Sequence, residues 1–229
     1  LLIGGPNDDS GQGTVLVAEG PLDDGEALSG GWGNHYGAGA SVAVVDFGGD
    51  GEHEAVWGEP DNSRLGYGES DEGHYTAAGS TALGAALGVV DLDGDGGQEL
   101  VASDLSGAAV YHYDGGGGTD LASAGLVISA EETKDELGYS IGSGDLDGDG
   151  DDELVLGARG EGTGGGLSGA VYLLSSVKSG GVASQHMAKL TGEVAGDQAG
   201  TSVAVTDLDG DGQMDLAIGA PGSDRAVAG

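Results

Sequence analysis

The chain has 229 residues, no cysteine, and 40 Asp plus Glu against 6 Lys plus Arg, for a formal net charge of −34. That balance argues against nucleic acid as a partner, because the phosphate backbone would be repelled. The lack of cysteine rules out a disulfide framework, and no run of 18 apolar residues is present to make a helical membrane span.

The chain opens on Leu1-Leu2-Ile3-Gly4-Gly5-Pro6, followed by the short apolar run Val15-Leu16-Val17. An acidic, glycine-rich stretch, VVDFGGDGEHEAVWGEP, occupies residues 44–60. VVDLDGDGGQELVAS follows at 89–103, then the runs Ala108-Ala109-Val110-Tyr111 and Leu126-Val127-Ile128. A third acidic stretch, GDLDGDGDDELVLGARG, lies at 144–160, before Ala170-Val171-Tyr172-Leu173-Leu174 and Met187-Ala188-Lys189-Leu190. VTDLDGDGQMDLAIGAPG closes the series at 205–222. Short apolar runs bounded by turn residues predict strands. No segment carries a sustained apolar stripe of period 3.6, so helices are not expected.

The four acidic stretches align on Asp46, Asp91, Asp145 and Asp207, which are 45, 54 and 62 residues apart. Seven residues earlier stands glycine, at 39, 84, 138 and 200. Five residues earlier stands Ser41, Ala86, Ser140 or Ser202, and eight residues later an acid, Glu54, Glu99, Glu153 or Asp215. Three mostly apolar residues follow, and then Gly58, Gly157 and Gly219, with Ser103 as the exception. The opening Leu1–Pro6 matches Leu216–Pro221, which places the first residue just after a further loop of the same kind. The glycines recur in register and read as turn punctuation. Each unit has about four strands, the composition of one propeller blade.

The acids set the chemistry. Two carboxylates about 4 Å apart repel by about 4 kcal/mol at an effective dielectric near 20. Four that converge need protons or a cation. Gly148 and Gly150 permit positive φ, so an Asp-x-Asp-Gly-Asp-Gly run can wrap around a point. A hard cation with oxygen ligands fits that geometry, and Ca²⁺ takes 6–8 oxygens. An EF-hand would need a bidentate Glu at loop position 12, where this chain has Ala102, Leu156 and Ile218. The closing acid stands at position 9 instead, just before a strand.

These registered features resemble the FG-GAP repeat of the integrin α-subunit β-propeller and its prokaryotic relatives. In that family a Phe-Gly pair opens the first strand and Gly-Ala-Pro closes the second. Here the glycine is kept, the Phe is replaced by Ala38, Leu83, Leu137 and Ala199, and Gly-Ala-Pro is intact only at 219–221. The resemblance implies an all-β fold, a β-propeller of four-stranded blades over residues 1–229. The blades would span 36–80, 81–134 and 135–196, with partial blades at 1–35 and 197–229. A fragment of a larger propeller is the expectation, with a compact four-blade ring as the alternative. The family pattern also implies Ca²⁺ bound through side chains at positions 1, 3, 5 and 9 and the backbone carbonyl at position 7. Those positions are Asp91, Asp93, Asp95, Gly97 and Glu99, then Asp145, Asp147, Asp149, Asp151 and Glu153, and finally Asp207, Asp209, Asp211, Gln213 and Asp215. A weaker site falls on Asp46, Asp50, Glu52 and Glu54, because position 3 there is Gly48.

Catalytic motifs fare less well. Gly138-Tyr139-Ser140-Ile141-Gly142 matches a nucleophile elbow, but an acidic loop follows within three residues where the elbow requires a helix. Gly164–Gly169 matches Gly-x-Gly-x-x-Gly but precedes a strand, so it reads as a hairpin loop rather than a phosphate cradle. His35, His53, His74, His112 and His186 lack zinc-type spacing. The fifteen aligned loop acids account for under half of all the acids. The rest make an acidic, lysine-poor surface that suits a salty medium, where charge is screened, and so a halophilic or marine prokaryote, with an ordinary acidic secreted protein as the alternative.

Two function classes follow from the resemblance. One is an extracellular or cell-surface adhesion module without enzymatic activity, whose loops bind a protein or glycan. The other is the propeller domain of a polysaccharide-processing lyase or hydrolase, whose basic candidates would be Arg64, Arg159 and Arg225. The aromatic cluster Trp32, His35 and Tyr36 is the candidate partner contact. Further blades or domains of the same polypeptide are expected.

Overall fold

The computed structural model describes residues 2–5, 13–17, 37–47, 49–68, 73–92, 95–105, 109–113, 120–121, 126–175, 181–182 and 188–223. Trp32, His35, Tyr36, Gly48, Asp93, His186 and Arg225 lie outside them. Seventeen strands and two single-turn 3₁₀ helices, Pro60–Asn62 and Thr133–Asp135, make up the regular structure among these residues.

The strands form a row of antiparallel sheets. β1 (Leu2–Gly5) pairs with β2 (Thr14–Val17). β3 (Val42–Val45), β4 (Glu54–Glu59), β5 (Arg64–Tyr67) and β6 (Gly73–Thr76) make a four-stranded sheet in chain order. β7 (Leu83–Val90), β8 (Glu99–Asp104), β9 (Ala109–Tyr113) and β10 (Leu126–Ser129) make the next. β11 (Leu137–Gly144), β12 (Glu153–Ala158), β13 (Ala170–Leu174) and β15 (Ala188–Thr191) make a third. β14 (Gly181–Val182) leaves that third unit and pairs in parallel with Ile128 and Ser129 of β10. β16 (Ser202–Thr206) and β17 (Asp215–Gly219) form the last pair.

The first strands of successive sheets stand side by side, β1 against β3, then β3, β7, β11 and β16 in turn. This arrangement is all-β and propeller-like. Among the described residues the sheets do not close into a ring.

Packing follows from that row. Residues alternate faces along a strand, so a strand between two neighbours buries both sets. β8 does this: Leu100 and Ala102 join a core with Val45, Val56, Leu65 and Leu83. Val101 joins the other core, with Val110, Ile128, Leu137, Leu154, Leu156 and Tyr172. Every residue of β8 and of β12 is buried as a result. The family's Phe position is filled by Ala38, Leu83, Leu137 and Ala199, all buried, so aliphatic contacts stand where the ring would pack. In the last pair Ile218 is 36% exposed where the equivalent Leu156 is fully covered.

The registered small residues lie on the seams between sheets. Gly39, Gly84, Gly138 and Gly200 all have φ between 79° and 89°, a left-handed backbone that favours glycine. A Cβ on Gly157 would sit 2.1 Å from the Gly200 carbonyl and 2.3 Å from Ser140 Oγ. The Ser140 hydroxyl fills that space and donates to the same Gly200 carbonyl at 2.9 Å. Ser41 Oγ donates to the Gly84 carbonyl at 2.7 Å in the same way, beside Gly58. In the second unit the pair is exchanged. Ala86 replaces the serine and Ser103 replaces the glycine, and the Ala86 N–H donates to Ser103 Oγ at 2.9 Å. The hydroxyl is kept, but Ser103 bonds within its own sheet, also reaching the Ala86 carbonyl at 3.4 Å, where Ser41 and Ser140 reach across to the next sheet.

Gly157→Ala therefore overpacks a backbone carbonyl and should destabilise by about 1–3 kcal/mol. The double change Ala86→Ser with Ser103→Gly rebuilds the arrangement of Ser41 and Gly58 and should be close to neutral. Urea melts of both variants against the parent check this pair of outcomes.

Candidate metal centres

Each acidic loop joins the first two strands of its sheet, so β3–β4, β7–β8, β11–β12 and β16–β17 present all four loops on one rim. The loops are shaped by their own backbone. The Gly148 and Gly150 N–H groups donate to the two carboxylate oxygens of Asp145 at 2.7 and 3.1 Å. Gly210 and Gly212 donate to Asp207 at 2.7 and 2.9 Å, and Gly96 to Asp91 at 3.1 Å. These five glycines have φ between 78° and 100°, the wrap that the Asp-Gly pattern predicts.

The closing acid folds back on the loop. Glu153 Oε2 accepts the N–H of Leu146 at 2.8 Å and of Asp147 at 3.2 Å. Glu99 Oε2 accepts from Leu92 at 2.8 Å, and Asp215 Oδ2 from Leu208 at 2.9 Å. Glu and Asp thus make the same contact. The position-5 carboxylates of Asp50, Asp95, Asp149 and Asp211 each accept the N–H of position 7, Glu52, Gly97, Asp151 and Gln213, at 2.8–3.0 Å.

Three groups of carboxylates converge with their oxygens within 4.8 Å of one another: Asp91, Asp95 and Glu99; Asp145, Asp147 and Glu153; Asp207, Asp209 and Asp215. Asp149, Asp151 and Asp211 lie outside these groups, and the Asp151 and Gln213 N–H groups donate to Asp149 and Asp211. Asp93 lies outside the described residues. Among the described residues, Asp46, Asp50 and Glu54 form no such group, although Asp50 and Gly51 donate to Asp46 at 3.1 and 2.8 Å.

Among the described residues, two oxygens in these groups are buried without a hydrogen-bond donor, Asp91 Oδ1 and Glu153 Oε1. A buried acceptor left unmatched costs about 1–3 kcal/mol, more when charged. Burial pushes the Glu153 pKa up, and the Asp147 and Asp149 charges add to the shift, against the hydrogen bonds from Leu146 and Asp147. The donor set is hard oxygen throughout, the type that Ca²⁺ or Mg²⁺ takes. The residues fit a divalent cation.

Sequence reasoning missed the residue at loop position 8. Gln98 Oε1 accepts the Asp46 N–H at 3.0 Å, from the neighbouring sheet. His53, Gln98, Asp152 and Met214 share that register but not a residue type, so no repeated letter marked it. Ser140 is a seam residue by its bond to Gly200, in keeping with the absence of a helix after it.

The opposite rim differs in charge. All four described Lys and Arg residues lie there in ion pairs: Arg64 with Glu59 at 2.6 Å, Lys134 with Glu132 at 2.7 Å, Arg159 with Glu136 at 2.6 Å, and Lys189 with Glu131 at 2.8 Å. Glu59 is fully buried and also accepts from Trp57 Nε1 at 3.0 Å.

The raised pKa of Glu153 has a definite sign. The folded state holds the proton more tightly than the unfolded one, so ionisation of Glu153 costs stability at neutral pH when no cation is bound. In chelator, Glu153→Gln should melt higher than the parent at pH 7. The gap should narrow as pH falls towards the ordinary value of 4.5. Thermal melts across that range decide the matter, and a variant melting below the parent at pH 7 contradicts the electrostatic assignment.

The FG-GAP repeat family matches residues 137–174 and 199–229. Integrin alpha pat-2 of Caenorhabditis elegans is 38% identical over 96 residues, 41% of this chain and 7% of that protein. Integrin alpha-IIb of Homo sapiens is 42% identical over 85 residues, 37% of this chain and 7% of that protein. The matched segment therefore spans a small fraction of these relatives. The V. cholerae biofilm matrix protein Bap1 superposes on 84% of this chain and 28% of its own, with a TM-score of 0.47 and 17% identity. With its acid loops and seam glycines in register, the chain carries FG-GAP repeats at residues 137–174 and 199–229 and is similar over part of its length to integrin α subunits.

Proposed function

We propose that this chain is a calcium-binding recognition module. Ca²⁺ in the Asp91, Asp145 and Asp207 loops holds one rim, and loops on the opposite rim bind a protein or glycan partner outside the cell or at its surface. The observation that carries the metal assignment is the pair of buried, donor-free oxygens, Asp91 Oδ1 and Glu153 Oε1, each within a converging carboxylate group. In this reading Asp93, Asp149 and Asp211 complete the side-chain ligands, and Gly97, Asp151 and Gln213 give backbone carbonyls. The Asp46 loop, with Gly48 at position 3, binds weakly. The blades run 36–80, 81–134 and 135–196.

The partner side of the proposal rests on integrin similarity and on the opposite rim. A polar cavity of about 220 Å³ opens there between Glu131, Glu132, Lys134, Asp135, Glu161 and Thr163. Glu161 Oε2 is buried beside it without a donor, which suits a partner rich in N–H or O–H groups. No helix of the described residues is long and apolar enough to cross a membrane.

Calorimetric titration of chelator-treated protein should give three Ca²⁺ per chain, Asp147→Ala should remove one, and Ser140→Ala should remove none. A stoichiometry of zero overturns the metal assignment. At free calcium 100-fold above Kd each independent site contributes about 2.7 kcal/mol, so the melting temperature should climb with calcium at neutral pH and moderate salt.

For the partner, a glycan array paired with an assay for reducing-end release should show binding without bond cleavage. Release of reducing ends would favour the enzymatic class instead.

A further inference from the structure

The acid loops are joined to one another by their backbones. The Gln98 N–H donates to the Asp46 carbonyl at 2.8 Å, while Gln98 Oε1 accepts the Asp46 N–H at 3.0 Å. The Asp152 N–H donates to the Asp91 carbonyl at 3.0 Å. Gln98 and Asp152 are both the eighth residue of their loops, next to the closing Glu99 and Glu153. Asp46 and Asp91 are both the first residue of the preceding loop. The contact is close enough that a Cβ on Gly49 would lie 2.6 Å from the Gly96 carbonyl. Just inside the second seam, Ser143 Oγ donates to the Val89 carbonyl at 2.8 Å.

The third seam is built differently. Its eighth residue is Met214, and the described residues include no hydrogen bond from it to Asp145. The side chains of Val205 and Met214 approach Gly144 instead.

We propose that metal binding is coupled between neighbouring loops through this clamp. The Asp91 and Asp145 loops form a coupled pair, and the Asp207 loop binds independently of the Asp145 loop. The inference rests on the calcium reading above. An ion that draws Glu153 into place also fixes the adjoining Asp152 amide, and that amide holds Asp91, the first ligand of the previous loop. The Asp91 loop then loses less freedom when its own ion arrives. Linkage makes the effect reciprocal, since whatever one ion does for the second site, the second does for the first. Ion–ion repulsion opposes this, but it acts at every seam and is screened by salt. A difference between seams therefore isolates the clamp.

The test is a CaCl₂ titration of the full chain followed by amide NMR at physiological ionic strength. Gly96, Gly150 and Gly212 report the Asp91, Asp145 and Asp207 loops through their N–H bonds to the first aspartate. Asp147→Ala, or the isosteric Asp147→Asn if alanine loosens the fold, should silence Gly150 and weaken the Gly96 midpoint at least about five-fold, the lower end of ordinary coupling. Asp209→Ala should silence Gly212 and shift Gly150 less than about two-fold, well under that range. An unchanged Gly96 midpoint with Gly150 silent overturns the coupling and leaves the calcium reading intact. Equal weakening at both seams overturns the clamp as its source. Silence of all three amides in the parent removes the calcium reading and the coupling with it.

Discussion

Two of the seams between sheets depend on one contact, a backbone carbonyl of one sheet, Gly84 or Gly200, pressed against the second strand of the sheet before it. Nothing larger than a hydrogen atom fits on that strand at Gly58 or Gly157, and the carbonyl still needs a donor. A hydroxyl from the strand alongside supplies the donor and fills the remaining space. The left-handed glycine that carries the carbonyl turns the chain into the next sheet. From this spacing come the burial of β8 and β12 on both faces and the alternation of side chains between two cores. It also brings the acid loops into contact.

The loops use their own amides to hold their shape. The first carboxylate accepts from the glycines at positions 4 and 6, and the closing acid accepts from position 2. A cation is needed for charge, and it fixes what the amides leave mobile. It would neutralise oxygens that the wrap has already brought within 4.8 Å. The affinity is set by how much repulsion the ion removes, how well it replaces its lost water and how much freedom the loop gives up when the ion arrives.

Much of this was legible in the sequence because the repeat shows the same physical requirement several times. The strands after each loop, the positive φ at Gly148 and Gly150 and the closing role of Glu153 follow from registered letters. Other features lacked such a mark. β5 and β6 read RLGY and GHYT, with no apolar run. They are strands because Arg64 pairs with a buried Glu59, and because Gly66 leaves room for the Trp57 ring. β14 is two residues long and pairs with a sheet formed some 50 residues earlier, which no local pattern specifies. Ser103, the exception in the glycine register, is one half of an exchange with Ala86, to which it is hydrogen-bonded. At position 8 the backbone N–H does the work at two seams, so the letters there are free to vary.

The segregation of the described cations to one rim gives the described part of the molecule an electrical polarity. Approaching a negatively charged surface or polymer, the acid-loop rim meets repulsion with no cation among its described residues to offset it, while the opposite rim carries every described Lys and Arg. Fields of this kind orient a protein before contact is made. The chain would arrive with its paired rim leading and its loops trailing in solvent, a preference that divalent cations weaken as they load the trailing side.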